Sequence, residues 1–491
     1  MSGAHLPALQ VILPLLGAPL CMLAHRAEWA WRIAQAVCLG CLAISGALLL
    51  QVAAEGEITY AFGGWAAPWG IEYRLDALNT PLLFLVSAVA ALVAWYSRRC
   101  AAAEIAADRL YLFYLALQLH LAGLLGVVGT GDIFNLFVFV EIASLSSYAL
   151  LGLGHDRRAL LAAYRYLLLG SLGATFLLVG IGYLYALTGT LNMADLAERL
   201  GPVAHTRTAV MAFAFITVGL ALKFALFPLH VWLPDAYTYA PSPIAAFFAA
   251  TGAKVYLYAW LRIGFTVFDQ GSVLEQVQLD KVLIATASLA VLFGSLAALL
   301  QRDLRRLLAY SSIAQIGYMV LGASLATVGS MAAGLLHLFY HALIKGALFL
   351  AVGCLYLRAG TARLEQLRGI GPRMPWTTAA LALAGLGLVG VPLTAGFVSK
   401  WYLAQAMLDR GWWWLALLIL GGSLLAACYV WKFLEPICLQ PAPASDRELR
   451  EAPPSMLIPL WLLAAAILAL GIDSSLPIRW ATRAAMLLVP G

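Results

Sequence analysis

Polar positions are sparse along this chain, and the stretches between them are long and apolar. Windows long enough to cross about 30 Å of hydrocarbon as a helix recur about fourteen times: near 6–24, 30–53, 79–97, 110–128, 133–153, 160–187, 209–227, 243–265, 282–301, 307–325, 328–356, 377–408, 413–434 and 456–472. The pattern predicts an all-α polytopic membrane protein of about fourteen transmembrane helices. The first apolar stretch, Leu6 to Leu23, lacks a basic flank and is expected to remain as a helix rather than act as a cleavable signal.

Two windows are interrupted. The seventh runs into Pro228, Pro234, Pro241 and Pro243, and the twelfth contains Gly385, Gly387, Gly390, Pro392 and Gly396. Proline removes a backbone donor and stops a regular helix. Exposed backbone at membrane depth survives only inside protein or beside a water-filled cavity. Two broken helices in corresponding halves point to inverted repeats. The expected units are residues 110–265 and 282–434, each of five helices, preceded by three helices in 1–109. A loop, a last helix and a tail follow in 435–491.

Composition agrees: of 491 residues 63% are hydrophobic and 11% charged, with mean hydropathy +0.88, far from the quarter charged of a soluble domain. The net charge of +6 does not indicate nucleic acid, because the basic residues are dispersed among short loops. Cys38 and Cys41 form a CLGC inside an apolar helix, which reads as packing rather than redox or metal chemistry. Sixteen basic residues fall in loops after odd-numbered windows, among them Arg98, Arg99, Arg302, Arg305, Arg306 and Arg447. Eight, including Arg74, Arg199 and Arg262, fall on the other side. The bias places the odd loops in the cytoplasm and both termini outside.

Six basic residues remain inside the apolar windows: Arg165, Lys223, Lys254, Lys345, Lys400 and Lys432. Arg165 and Lys432 lie near helix ends, where snorkelling to the interface is the simpler reading. Glu141, in GDIFNLFVFVEIASLSSYAL, is the one acid among them. A carboxylate at a bilayer centre costs at least ~2.5–3.5 kcal/mol and marks an ion or proton path. The alternative is a carboxyl that stays protonated against a neighbouring helix. Lys223 sits one turn before the first proline, where a broken helix lends a dipole end to an ion; the competing reading lets it reach headgroups. His230 lies in the break. His337, His341 and Lys345 recur every four residues on one helix face, a stripe suited to proton hopping through water. Haem ligation fits it less well, because that spacing does not offer two ligands to opposite faces of a haem.

These stretches, with LKFALFPLHVWLPDAYTYAPSPIAAFFAATGAK, RDLRRLLAYSSIAQIGYMVLG, HALIKGALFLAVG and GVPLTAGFVSKW, resemble the proton-conducting antiporter-like membrane subunits shared by respiratory complex I, membrane-bound hydrogenases and Mrp-type cation/proton antiporters. The resemblance covers residues 70–435. It implies that Glu141 and Lys223 form the lateral pair, Lys254 is the central lysine and Lys400 the terminal one, with His341 and Lys345 linking two half-channels. His230, His337, Arg165 and Lys432 are possible supporting groups, and Pro228, Pro234, Gly390 and Pro392 mark the breaks. Length and Lys400 make the chain most similar to the D-type members of Mrp antiporters. It departs from the pattern in GVPLTAG, where paired prolines are usual, and at Arg165, where lysine is more common.

The resemblance further implies a subunit of a hetero-oligomeric Na⁺/H⁺ antiporter in a bacterial inner membrane, with H⁺ and Na⁺ as its ions and other membrane subunits as partners. The alternative is a pump module of a redox-driven complex. With no Fe–S cysteine run, dinucleotide fingerprint or phosphate loop in the sequence, no cofactor or metal is expected in this chain, and redox groups would belong to partners.

Overall fold

The computed structural model describes residues 5–268, 278–441 and 450–489; Arg447 lies outside these. Among the described residues, thirteen helices are long and apolar enough to cross a membrane. In chain order the helices are α1 (Leu6–Ala24), α2 (Ala27–Glu55), α3 (Thr80–Glu104), α4 (Leu110–Gly129), α5 (Ile133–Gly152), α6 (Arg157–Thr188), α7 (Met193–Leu200), α8 (Arg207–Phe224) and α9 (Leu233–Tyr239). There follow α10 (Ser242–Val267), α11 (Leu279–Leu300), α12 (Leu304–Ser324), α13 (Val328–Ala359), α14 (Pro375–Val389), α15 (Ala395–Asp409), α16 (Trp413–Leu439), α17 (Pro454–Ile472) and α18 (Ser475–Leu488). The halves α14 and α15 together supply the fourteenth crossing.

Burial sorts these helices by role. The hydrophobic windows of α10, α12 and α13 are 94% buried, whereas those of α1, α2, α6, α11, α16 and α17 are 44% buried or less and turn leucines such as Leu50, Leu168, Leu289 and Leu424 outward. An all-apolar helix that buries little of itself in protein buries the rest in lipid. The hub is α13, which packs on α3, α10, α12, α14, α15, α17 and α18. Glycine permits the closest crossings: a Cβ on Gly123 would stand 2.5 Å from the Ala143 nitrogen, and one on Gly219 2.6 Å from the Gly173 carbonyl oxygen.

The repeat is visible in one detail. At the head of α5, Asp132 caps Asn135 and bridges to Asn192 beyond α6; Ile133 N donates to the Leu191 carbonyl (2.9 Å) and Met193 N to Gly131 (2.9 Å). At the head of α12, Asp303 caps Arg306 and bridges to Arg363 beyond α13; Leu304 N donates to Ala362 (2.8 Å) and Leu364 N to Arg302 (3.0 Å). The two bridges lie at opposite ends of α3. The first meets Glu72 just before it, and the second shares a cavity with Glu104, its last residue. The motif is therefore repeated upside down.

Two elements depart from the sequence expectation. Residues Ile58–Ala61 and Glu72–Leu75 form an antiparallel hairpin, Ile58 opposite Leu75, too short to register against the apolar windows. The tail forms α18, whose Pro477, Ala481, Ala484, Ala485 and Leu488 are buried while Arg479 and Arg483 stay exposed. Its Trp480 Nε1 donates to the Ala77 carbonyl.

Candidate functional site

The first break is set by backbone rather than by proline alone. α8 stops at Phe224 because Ala225 turns left-handed (φ 59°), before Pro228 is reached. The freed Leu222 carbonyl accepts from Trp232 Nε1 (2.8 Å). Pro228 lies inside the gap, whereas Pro234 falls in the first turn of α9, where its missing N–H is no loss. Pro234 thus opens a helix instead of breaking one. In the last turn of α8, Lys223 is 1% exposed; its Nζ donates to Ser144 Oγ (2.7 Å) and to Glu141 Oε1 (3.3 Å) on α5. Glu141 keeps 27% of its side chain exposed, so the pair has one member sealed in protein and one at the lateral surface. Tyr148, two turns further along α5, meets Tyr166 edge-on, and Tyr166 stacks on Trp232 at 4.0 Å.

Lys254 is buried on α10 just past a π-helical turn, Phe248–Gly252. π turns disturb the regular ladder and recur at functional sites. Here the carbonyls of Phe247, Phe248 and Ala249 accept from Thr251 Oγ1, Tyr237 Oη and Lys254 Nζ respectively. Gly346 of α13 packs against Ala250 in this turn, which sets the His341–Lys345 stretch beside it.

On α13, His337 bonds Ser399 Oγ (2.9 Å) and Gln315 Oε1 (3.1 Å). His341 stacks parallel to it at 6.0 Å and is buried, with both ring nitrogens unmatched by protein atoms. Buried polar atoms of this kind call for water. Lys345 Nζ donates to the Leu308 carbonyl (2.7 Å) and to Ser311 Oγ on α12. The second break spans Gly390 (φ 87°) to Thr394 and contains Pro392. Lys400, on α15, reaches back so that its Nζ caps the Leu388 (2.9 Å) and Val389 (3.0 Å) carbonyls at the end of α14, as a cation at a helix C-terminus should; the Tyr318 ring lies 5.1 Å away. So Lys223 precedes its break and Lys400 follows its own.

The supporting candidates divide. His337 joins the line and ties α13 to α15. His230 is buried against Phe227 and Phe293 with its Nδ1 unpartnered, apart from the lysines. Arg165 is half-exposed and holds Asp235 (2.8 Å), which also binds Arg306 (3.3 Å), so it fastens α9 to α6 and α12. Lys432 donates to the Leu299 and Gln301 carbonyls and caps α11.

Sequence reasoning missed several participants. His120, a lone histidine in the apolar run of α4, bonds the Ala143 carbonyl (2.8 Å) between Glu141 and Ser144 and lies on Phe247 and Phe248. Ser144, Ser311, Ser399 and Gln315 gave no signal, being neutral. Arg262 and Arg305, expected in loops, are buried: Arg262 binds Asp76 (2.6 Å) and Arg305 binds Glu104 (3.4 Å). A basic residue at the edge of an apolar window reads as loop, and their acid partners are remote in sequence.

The family model for the transmembrane region of NADH:quinone oxidoreductase and Mrp antiporter subunits matches residues 130–426. The chain is 42% identical over 487 residues to the N subunit of NADH-quinone oxidoreductase from Desulforudis audaxviator (strain MP104C), covering 96% of each. It is 32% identical over 419 residues to the D-type member of the Na⁺/H⁺ antiporter from Bacillus subtilis (strain 168), covering 85% of this chain and 83% of that one. A chain of the Mrp complex from Dietzia sp. DQ12-45-1b superposes with TM-score 0.91 at 27% identity, over 100% of this chain and 98% of that one. The chain belongs to the NADH:quinone oxidoreductase/Mrp antiporter family of multi-pass membrane subunits.

Proposed function

We propose that this chain is the proton-translocating subunit of a multi-subunit Na⁺/H⁺ antiporter in a bacterial inner membrane, with both termini outside. Residues 110–265 and 282–434 are its two half-channels. The observation that carries the reading is the Lys223–Glu141 pair at a helix break, followed by three further buried lysines that donate to carbonyls and a hydroxyl rather than to carboxylates. Glu141, partly open at the lateral surface, feels charge on a neighbouring subunit. When the pair separates, Lys223 loses its counter-charge and yields its proton toward Lys254. The proton continues by His341, Lys345 and water to Lys400, which releases it, and the flux is exchanged for Na⁺. The test is Glu141→Gln in the assembled complex: proton transport in sealed vesicles is expected to vanish while assembly persists. Near-normal transport overturns the relay.

The 42% identity to an N subunit of NADH-quinone oxidoreductase favours a second reading, in which the same relay is driven by redox partners. Mild-detergent purification with mass spectrometry and an iron assay separates them. Small hydrophobic partners without iron support the antiporter, and iron-bearing soluble subunits support the redox module.

A further inference from the structure

Two cavities with charged residues in their walls open at opposite ends of α3, and the relay residues line neither. One, of about 540 Å³, is lined by Glu57, Glu72, Arg74, Asp76, Thr130 and Arg262 among others. The second, of about 640 Å³, includes Glu104, Asp156, Arg158, Arg302, Arg305 and Tyr356. Each has a buried carboxylate–arginine pair in its wall, and one helix carries both acids: Asp76 lies just before α3 and Glu104 ends it.

Each arginine shares a helix with a relay lysine or with that lysine's acceptors. Arg262, Tyr258 and Lys254 follow one another at four-residue intervals on one face of α10. Arg262 donates from Nη2 to Asp76 (2.6 Å) and from Nε to Tyr258 Oη (3.3 Å). Arg305 is one turn before Leu308 and less than two before Ser311, the two acceptors of Lys345. Around Glu104 stand Arg305, the Cys100 thiol (3.1 Å), the Ser242 amide (3.0 Å) and Tyr356, over which Arg305 lies at 4.0 Å. Around Asp76 stand Arg262, the amides of Leu78 and Asn79, and beyond them the Arg74–Glu57 pair.

Resting on the relay reading above, we infer that the two cavities are the aqueous mouths of the relay, and that Asp76 and Glu104 are the carboxylates through which protons cross between water and the buried lysines. At the first cavity, hydronium protonates the Asp76 carboxylate. The acid gives a proton to the Tyr258 hydroxyl, which turns its own from the Val128 carbonyl (3.0 Å) through water to the neutral Lys254 amine, and Asp76 is a carboxylate again. At the second cavity, ahead of Lys400, the Lys345 ammonium gives a proton through the Ser311 hydroxyl and water to Glu104, and Glu104 releases it to cavity water. The arginines stay charged throughout and hold each carboxylate in place. An exposed ion pair needs no such burial, and the desolvation of both partners is the cost of placing a titratable acid between water and lysine.

The test uses the intact complex in sealed vesicles of either orientation, treated with a water-soluble carbodiimide, which reacts with protonated carboxyls, and mapped by mass spectrometry. Asp76 is expected to be modified from one face and Glu104 from the other, with exposed Glu198 and Glu365 as references. If neither is modified while the references are, the inference is overturned. In parallel, Asp76→Asn and Glu104→Gln, which keep the hydrogen-bond acceptors, are expected to lower transport at least tenfold with assembly retained, and Glu104→Asp to recover part of it. Normal transport by both isosteric variants overturns the mouths if Glu141→Gln is inactive. If Glu141→Gln is also normal, the relay itself fails.

Discussion

A buried lysine needs acceptors for its N–H groups, and the four here find one or two each among protein atoms, in two ways. Lys223 has a carboxylate and a hydroxyl. The other three use carbonyls made available by irregular backbone or a neighbouring helix, with Ser311 added at Lys345. Ser144→Ala takes one acceptor from Lys223 and leaves a buried donor short, a loss of about 1–3 kcal/mol. Transport is expected to fall by about tenfold, the kinetic equivalent of ~1.4 kcal/mol, with the complex still assembled; unchanged rates would mean that water replaces the hydroxyl. His341→Phe keeps a ring of similar shape but removes both unmatched nitrogens. It is expected to stop proton flux between the two units while leaving α13 packed, measured as vesicle acidification against the yield of assembled complex. Such charged and imidazole side chains are mostly readable in the sequence because they interrupt apolar runs, His120 being the exception because it stands alone in its run. Their neutral partners are not, since serine and glutamine are common on packed membrane helices.

At the scale of the helix, glycine and proline disclosed both breaks but not where each begins. Ala225 ends α8 in a left-handed turn that no sequence rule assigns to alanine. At the second break the halves are pressed together: a Cβ on Gly396 would stand 1.9 Å from the Gly387 carbonyl oxygen. Gly396→Ala therefore has to push α14 from α15 and pull Lys400 off the Leu388 and Val389 carbonyls. Overpacking of this kind costs about 1–3 kcal/mol. The expected result is a lower melting midpoint together with lost transport, whereas Gly421→Ala, whose Cβ meets nothing within 4 Å, leaves both unchanged. The π turn before Lys254 was unreadable for another reason. Its sequence, FAATG, has no breaker other than a terminal glycine, and the turn is held by Thr251, Tyr237 and Lys254 taking successive carbonyls.

For the whole molecule the crossing pattern was the most readable feature, since hydrocarbon thickness dictates window length; the orientation proposed from loop charge is the part to be tested. Burial of Arg262 and Arg305 removes one arginine from each side of the charge count and leaves the bias intact. The inverted bridges at Asp132 and Asp303 then tie the topology together, because they demand that the loop after α6 and the loop before α12 face opposite compartments. Arg207, which opens α8 at the same end as the first loop, and Arg302 in the second are both exposed. In a background with Cys428 and Cys438 replaced by alanine, Arg207→Cys is expected to react with a membrane-impermeant maleimide on intact cells, and Arg302→Cys only after permeabilisation. Labelling of both from one side would break the inversion. Labelling of Arg302→Cys alone from outside would keep the inversion but turn the molecule over, with both termini in the cytoplasm and the two cavities exchanging compartments. The direction of the relay follows from that assignment, because the cavity beside Asp76 takes up protons only if it faces the compartment that supplies them.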